Sequence, residues 1–160
     1  MPEGVRIDGR TARAQRTRAA IVDAHLAVAR AGFVAVDFYD GAVIYDFARG
    51  RVQLCDLDAH QPGPYVLERD RQFGSKRFMA PEEFQRGARI DERTTVYTLG
   101  RTAFVFLSSG LRGEPERHRW RASAPLYEVA WRATRPDPDD GYATVAAFAD
   151  GWRGAAVLID

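Results

Sequence analysis

Residues 74–82 read Gly-Ser-Lys-Arg-Phe-Met-Ala-Pro-Glu, and residues 91–100 read Asp-Glu-Arg-Thr-Thr-Val-Tyr-Thr-Leu-Gly. The first stretch combines a Gly-Ser turn with a proline that interrupts extended chain. In and beyond the second stretch, apolar residues recur at helical spacing, which predicts a buried helix. Its core positions are Val96, Leu99, Phe104 and Leu107. Taken alone, a turn followed by such a helix would fit many helical domains.

Length and composition limit the classes of protein that this chain can belong to. With 160 residues, 46% of them apolar, it is expected to form one domain with a sizeable core. The formal net charge of +1 argues against nucleic acid as a partner. No run of 18 apolar residues or signal-peptide core occurs, so no membrane association is expected. A lone cysteine, Cys55, fits a reducing compartment, and we expect a cytoplasmic protein.

The residues before the quoted stretch predict a long helix. Apolar residues recur at helical spacing within residues 11–31, and Gly32 is placed to end the helix in a left-handed conformation. His25 falls on the apolar face and is expected in the core. The first half of the helix is polar, and its arginines are expected on a solvated face: Arg13, Arg16 and Arg18.

Short strands follow the helix, and several of their turns carry carboxylates. The predicted strands cover residues 33–38, 42–47 and 51–55. Asp37 lies near the end of the first strand and Asp56 directly follows the third. Packing of apolar strands does not by itself require aspartate at these ends, so both residues are candidates for a site.

The remaining segments predict loops and two further helices. The predicted fold class is therefore mainly α with short β-hairpins (α+β). Residues 59–73 are rich in Pro, Gly and charge, which predicts an irregular exposed loop with His60 on its surface. Residues 108–120 are polar and turn-rich. Two further helices are expected, one over residues 126–134 and one starting at residue 137. Three tryptophans are read as core or interface anchors: Trp120, Trp131 and Trp152.

Together these stretches resemble the C-terminal lobe of Ser/Thr protein kinases. The Ala-Pro-Glu triplet at residues 80–82 follows a Gly-Ser turn, as at the end of a kinase activation segment. The kinase catalytic loop aligns without a gap from Gly32, which places Asp37 on the catalytic aspartate. Residues 56–58, Asp-Leu-Asp, then fall on the metal-binding Asp-Phe-Gly. The resemblance implies a divergent kinase-like fold without an N-terminal lobe.

The alignment with the kinase pattern also divides the chain into a central lobe and two terminal tails. Residues 1–10 are expected to be an N-terminal tail, residues 11–153 the kinase-like lobe, and residues 154–160 a C-terminal tail. Within the lobe, the resemblance implies three regions: the catalytic and metal loops at 32–58, the activation segment at 59–82, and a helical subdomain at 91–153.

The resemblance assigns roles to four residues. Asp37 would be the catalytic base and Asp56 the magnesium ligand. Ser75 would lie on the substrate side, near the catalytic aspartate, and Glu82 would have a structural role. The cofactors implied are ATP and Mg²⁺, with weak or no binding in the isolated chain, and no particular residue is assigned to the nucleotide.

Several motif positions depart from the kinase pattern. The His and Arg before the catalytic aspartate are Ala35 and Val36, the lysine after it is Tyr39, and the metal-binding Asn is Ala42. Asp58 replaces the Gly of Asp-Phe-Gly. At the start of the buried helix, the aspartate that supports the catalytic loop is Thr95.

A further departure concerns Glu82. The late Arg that would pair with this carboxylate is replaced by Gly141. Because an unpaired buried carboxylate is costly, Glu82 is expected to be exposed or to pair with another arginine, with Arg135 a candidate.

Elements of the upper half of a kinase are also missing from the sequence. Lys76 is the only lysine and no Gly-x-Gly-x-x-Gly occurs. We therefore expect a phosphotransferase-like lobe that is inactive by itself, with its exposed cleft covered by an N-terminal lobe, a partner protein or a second copy of the chain. The alternatives are a pseudokinase-like interaction module and, third, a small-molecule phosphotransferase.

Overall fold

The computed structural model describes residues 9–109 and 115–157, in which four α-helices surround the core and six short strands form hairpin-like pairs. This confirms the predicted class of helices with short antiparallel hairpins. The helices are α1 (Gly9–Arg30), α2 (Glu92–Leu107), α3 (Ala124–Ala133) and α4 (Val145–Val157). The strands are β1 (Phe33–Val34), β2 (Val43–Asp46), β3 (Arg51–Leu54), β4 (Gln61–Pro62), β5 (Tyr65–Val66) and β6 (Arg89–Ile90).

Helix α2 lies at the centre and packs against the other three helices. It begins after Asp91, whose side chain accepts a hydrogen bond from the backbone N–H of Arg93. The four core positions predicted for this helix are all buried. Phe104 meets the rings of Trp120 and Tyr127 edge to face, with centroids 5.3 and 5.7 Å away. The apolar spacing therefore identified the central helix correctly.

Gly100 sets how closely α2 approaches α3. A Cβ at this position would lie 2.8 Å from Cβ of Ala133 and 2.7 Å from Cγ2 of Thr134. Gly100→Ala is expected to lower the free energy of unfolding by about 1–3 kcal/mol, because the two helices must move apart. Urea denaturation measures the change. Gly154→Ala in α4 is the control: its Cβ meets nothing within 4 Å, so helix propensity should leave stability equal or higher. Equal effects of the two substitutions would contradict the close packing.

The strands form three antiparallel pairs, β1 with β4, β2 with β3, and β5 with β6. Strand β1 covers only two of the six predicted residues. Beyond it, the N–H of Ala35 donates to Oγ1 of Thr95 at 3.1 Å instead of to a neighbouring strand. Asp37 then takes a left-handed backbone conformation, with φ of 57°, which ends extended chain. In the β2–β3 hairpin, Val43 pairs with Leu54 and Ile44 with Gln53.

Residues 59–73 are more ordered and more buried than the sequence predicted. They contain β4 and β5, and the side chains of Leu67 and Gln72 are only 2% exposed. Gln72 donates from Nε2 to the hydroxyl of Tyr65 at 2.8 Å. The charged residues 68–71 are exposed, as the sequence predicted. The buried Leu67 and Gln72 and the strand pairings were missed because they depend on residues far apart in the sequence.

The prediction that Arg18 lies on a solvated face was also wrong. The side chain is completely buried between α1, α2 and α4, and its guanidinium donates from Nη2 to the carbonyl of Leu99. It lies 5.0 Å from the ring centroid of Trp152 and 5.7 Å from that of Phe148. These aromatic faces partly replace water around the charge.

His25 is buried in the core, as its apolar surroundings in the sequence predicted. Its Nδ1 lies 2.9 Å from the carbonyl oxygen of Ile21, and its ring meets the edge of Phe38 at 4.4 Å. Burial lowers the pKa of His25 to about 4, so the imidazole is neutral at physiological pH.

The C-terminal part agrees with the predicted pair of helices, although a 3₁₀ turn at Pro138–Asp140 separates them and α4 begins only at Val145. Helix α4 also continues through Val157, past the start of the expected tail at residue 154. Trp120 and Trp152 are buried, whereas Trp131 is 38% exposed. The predicted turn-rich connection at 108–120 contains a 3₁₀ turn at Arg117–Arg119.

Two predicted segments lie partly outside the described residues: 110–114 of this connection, and 1–8 of the expected N-terminal tail. Among the described helices, none combines the length and apolarity needed to cross a membrane.

Candidate functional site

Three loops carry the predicted site residues: residues 37–40 after β1, residues 55–58 after β3, and residues 73–77. Asp37 is half-buried and Asp56 is exposed. Both aspartates have left-handed backbone conformations, with φ of 57° and 59°. They are the only non-glycine residues with positive φ in the described part of the chain. Such conformations are uncommon outside glycine and concentrate at functional sites.

Tyr39, two residues after Asp37, contacts the side chain of Asp56. Its hydroxyl donates to Oδ2 of Asp56 at 3.2 Å. This hydrogen bond raises the pKa of Tyr39, and the charges of Asp56 and Asp37 act in the same direction. The phenol therefore stays protonated at neutral pH and lies within the field of both carboxylates. We call Asp37, Tyr39 and Asp56 the acidic site.

The Gly-Ser turn lies against this site. A Cβ on Gly74 would be 3.4 Å from both Cα and Oδ1 of Asp37, and Gly74 has a φ of 141° that few other residues adopt. Ser75, the predicted substrate-side residue, is the next residue along the chain and is exposed. The turn is closed by the N–H of Phe78, which donates to the carbonyl of Ser75 at 2.9 Å.

An ion pair joins the third loop to the first. Arg77 donates from Nη2 to Oδ2 of Asp40 at 3.0 Å, and both side chains are partly exposed. From α2, Arg101 donates from Nε to the carbonyl of Arg77 at 3.0 Å. The central helix thus supports the loop that covers the acidic site.

Helix α2 also holds the loop of Asp37 from below. Thr95 accepts the hydrogen bond from the N–H of Ala35, and the flanking side chains of Val36 and Phe38 are buried. A buried side-chain acceptor and two apolar anchors therefore fix the backbone on both sides of Asp37.

Glu82 is half-buried, and its Oε1 accepts a hydrogen bond from Oγ1 of Thr94 at 2.8 Å. The sequence predicted that this carboxylate is either exposed or paired with an arginine. The partner that the structure shows is a hydroxyl, while Arg135 places its guanidinium over the ring of Trp131 at 5.1 Å. The hydroxyl of Thr94 on α2 therefore takes the place of the candidate partner Arg135.

Glu83 is a buried carboxyl that the sequence reading missed. Its side chain is 2% exposed and accepts a hydrogen bond from the N–H of Ala80 at 2.7 Å. Burial raises the pKa of Glu83 to about 8, and the charges of Glu82 and Asp37 add to the effect. A glutamate three residues after the start of a helical turn is the signal that could have indicated this contact.

His60 was expected on the surface and is instead half-buried beside the acidic site. Both of its ring nitrogens are enclosed by protein. Burial lowers the pKa of His60, while the carbonyl of Val36 and the charge of Asp37 oppose this. The imidazole is therefore neutral at physiological pH and lines the base of the loop of Asp37.

The acidic site supplies few donors for a cation. Ala42, at the position of the metal-binding Asn implied by the resemblance, is a buried methyl group. No group of three or more His, Cys, Asp or Glu side chains suited to a metal ion occurs among the described residues. One or two carboxylates suit Mg²⁺ when water and phosphate oxygens complete its shell. The residues therefore fit a magnesium–phosphate complex and do not form a cage for the free ion.

Three large apolar side chains of the β2–β3 hairpin and of the loop that follows it are exposed. Ile44, Phe47 and Leu57 are 57%, 63% and 40% exposed. Because side chains alternate along β2, Ile44 points away from the side of Tyr45, whereas the ring of Phe47 meets the ring of Tyr45 at 4.6 Å. Arg13 of α1 places its guanidinium 5.1 Å from the ring centroid of Phe47, so Ile44 and Phe47 lie on different sides of the hairpin.

Comparison of the chain with models of known protein families finds no match, and comparison with curated proteins finds none either. The function must therefore be argued from the geometry of the acidic site and from the residues that surround it.

Proposed function

We propose that this chain is a protein kinase-like C-terminal lobe that carries the lower half of a site for ATP-dependent phosphoryl transfer and is inactive by itself. The observation that carries the proposal is the hydrogen bond from Tyr39, two residues after Asp37, to Oδ2 of Asp56, which joins the loops of the two aspartates across a hairpin. This is the arrangement that the motif resemblance requires, because one carboxylate must reach the attacking hydroxyl and the other the phosphates.

Two further contacts support the proposal. Thr95 accepts a hydrogen bond from the backbone of Ala35, which is the supporting role expected of the aspartate that Thr95 replaces. Gly74 lies against Asp37, which brings the Gly-Ser turn to the place where a substrate hydroxyl would approach. Both contacts join stretches of sequence that are far apart.

In this mechanism Asp37 orients a substrate hydroxyl and accepts its proton as the oxygen attacks phosphorus. Gly74 and Ser75 border the path of that hydroxyl. Asp56 would hold the cation of a magnesium–nucleotide complex, whose charge favours the transfer of the phosphoryl group. Each of these residues acts from a loop that is held by α2 or by the β2–β3 hairpin.

The remaining residues explain why the chain alone is expected to be inactive. Its only lysine, Lys76, is exposed in the third loop, and Ala42 cannot bind a cation. The apolar side chains of Ile44 and of Leu57, which follows Asp56, are exposed. We propose that an N-terminal lobe, a partner protein or a second copy of the chain covers them and supplies the groups that bind the nucleotide.

A thermal-shift titration with ATP and MgCl₂, together with a labelled-phosphate assay, tests the function. We expect weak, magnesium-dependent nucleotide binding that is lost in Asp56→Ala, and no phosphoryl transfer above background. Asp37→Ala should keep the weak binding, because Asp37 acts on the hydroxyl. Rapid transfer by the purified chain that either substitution abolishes would contradict its inactivity.

A second candidate is a pseudokinase-like interaction module. The hydrogen bond from Tyr39 to Asp56 favours it, because the phenol contacts a carboxylate oxygen that a cation would use. This function predicts no nucleotide binding at any magnesium concentration, and binding of a protein partner that is lost when the exposed Ile44 and Leu57 are replaced by serine.

A further inference from the structure

Tyr39 is held over Asp56 by the shape of its own loop. A Cβ at Gly41 would lie 2.5 Å from Cε2 and 3.1 Å from Cδ2 of the Tyr39 ring. The ring therefore occupies the space that a side chain at residue 41 would need. In this position the phenol hydroxyl reaches Oδ2 of Asp56 at 3.2 Å.

The loop of Asp56 is fixed independently of this contact. The N–H of Cys55 donates to the carbonyl of Ala42 at 2.9 Å, so the end of β3 is tied to the start of β2. Asp56 then takes its left-handed conformation with its side chain exposed. The backbone before Asp56 is thus held by a contact that does not involve the phenol, and the phenol hydroxyl contacts one of the two carboxylate oxygens.

We propose that Tyr39 is a hydrogen-bonded cap on Asp56 that competes with a divalent cation for this carboxylate. The inference rests on the proposed function, since it concerns access to the same site. The phenol hydroxyl occupies one lone-pair position of Oδ2, so a cation that approaches from that side or that binds both carboxylate oxygens must displace it. The apparent affinity of Asp56 for a cation is then lowered by the hydrogen bond that has to be broken.

Two substitutions remove the cap in different ways. Tyr39→Phe deletes the hydroxyl and keeps the ring. Gly41→Ala keeps the hydroxyl and forces the ring to move, because the new methyl group would lie within 2.5 Å of Cε2. Tyr45→Phe, on β2 of the adjoining hairpin, is the matched control. Asp56→Asn identifies the carboxylate.

The test is a titration of the ¹⁵N-labelled chain with Mn²⁺, in which broadening of the backbone amide signals of residues 55–58 reports a bound ion even at weak affinity. We expect Tyr39→Phe and Gly41→Ala to reach half-broadening at roughly three- to tenfold lower Mn²⁺ than the unmodified chain, the range for loss of one hydrogen bond. Tyr45→Phe should match the unmodified chain, and Asp56→Asn should abolish the broadening in every background.

The outcomes separate this inference from the proposed function. If Asp56→Asn abolishes the broadening while Tyr39→Phe and Gly41→Ala leave the Mn²⁺ dependence unchanged or weaken it, the cap is refuted and Asp56 remains a cation ligand. If broadening persists in Asp56→Asn, the metal role of Asp56 in the proposed function fails and the cap fails with it.

Discussion

Replacing Arg18 by methionine is expected to raise the free energy of unfolding by about 1–4 kcal/mol, as in cases where buried ion pairs are replaced by apolar residues of similar size, because the cost of burying a charge is removed. Arg18 is completely buried, and its Nε and Nη1 have no hydrogen-bond partner in the described part of the chain. Burial lowers the pKa of Arg18 to about 9, which reflects the cost of keeping the charged form in the core.

Methionine suits this position because its flexible unbranched side chain can fill the space beside Phe148 and Trp152. The contacts of the guanidinium with these rings and with the Leu99 carbonyl would be lost, which limits the gain. Chemical denaturation at pH 7 measures the effect, with Arg16→Met on the exposed face of α1 as the control. A loss of stability for Arg18→Met of more than 1 kcal/mol would show that the ring and carbonyl contacts outweigh the burial of the charge.

Glu83 is expected to make the chain less stable as the pH rises from about 4.5 to about 8. The pKa of its carboxyl is raised from 4.5 to about 8, so between these values the folded state holds a proton that the unfolded state has lost. The stability contributed by Glu83 is therefore fully present below pH 4.5 and is lost as the pH rises to 8, by at most about 4–5 kcal/mol. His25 acts in the opposite direction, because its lowered pKa of about 4 costs stability as the pH falls below 6.5.

Glu83→Gln isolates the contribution of this carboxyl. The amide keeps an acceptor for the N–H of Ala80 and cannot ionise, so the variant should be more stable than the unmodified chain at pH 8.5 and similar to it at pH 5. Urea denaturation at the two pH values measures this, with the exposed Glu68→Gln as the control. A stability difference that is the same at both pH values would contradict a raised pKa at Glu83.

Local patterns in the sequence predicted those parts of the fold that depend on one helix or one turn. The apolar spacing of α2 placed Leu99 and Phe104 in the core, and Gly32 ends the helical stretch with a φ of 84°. The burial of Arg18 was missed although it precedes Ile21 by three residues and His25 by seven, which puts all three on one face of α1. A charge was read as exposed because periodicity does not show which aromatic rings will surround it.

Local sequence patterns predicted the candidate site less well than the fold. Asp37 and Asp56 are 19 positions apart, and only the resemblance to a kinase motif suggested that they share a pocket. The same comparison treated Tyr39 as the loss of a lysine and could not foresee its bond to Asp56. Glu83 escaped notice although its contact with Ala80 is local, because the sequence does not show that the turn carrying it is buried.

The proposed site requires three loops to meet around Asp37. Nuclear Overhauser effects in the unmodified chain measure the distances between these loops most directly. We predict cross-peaks between the Hα protons of Gly74 and the Hα proton of Asp37, and between the Tyr39 ring protons and the Hβ protons of Asp56. Absence of both sets of cross-peaks, with these signals assigned and sharp, would place the two carboxylates in separate surroundings and contradict the phosphotransferase-like site.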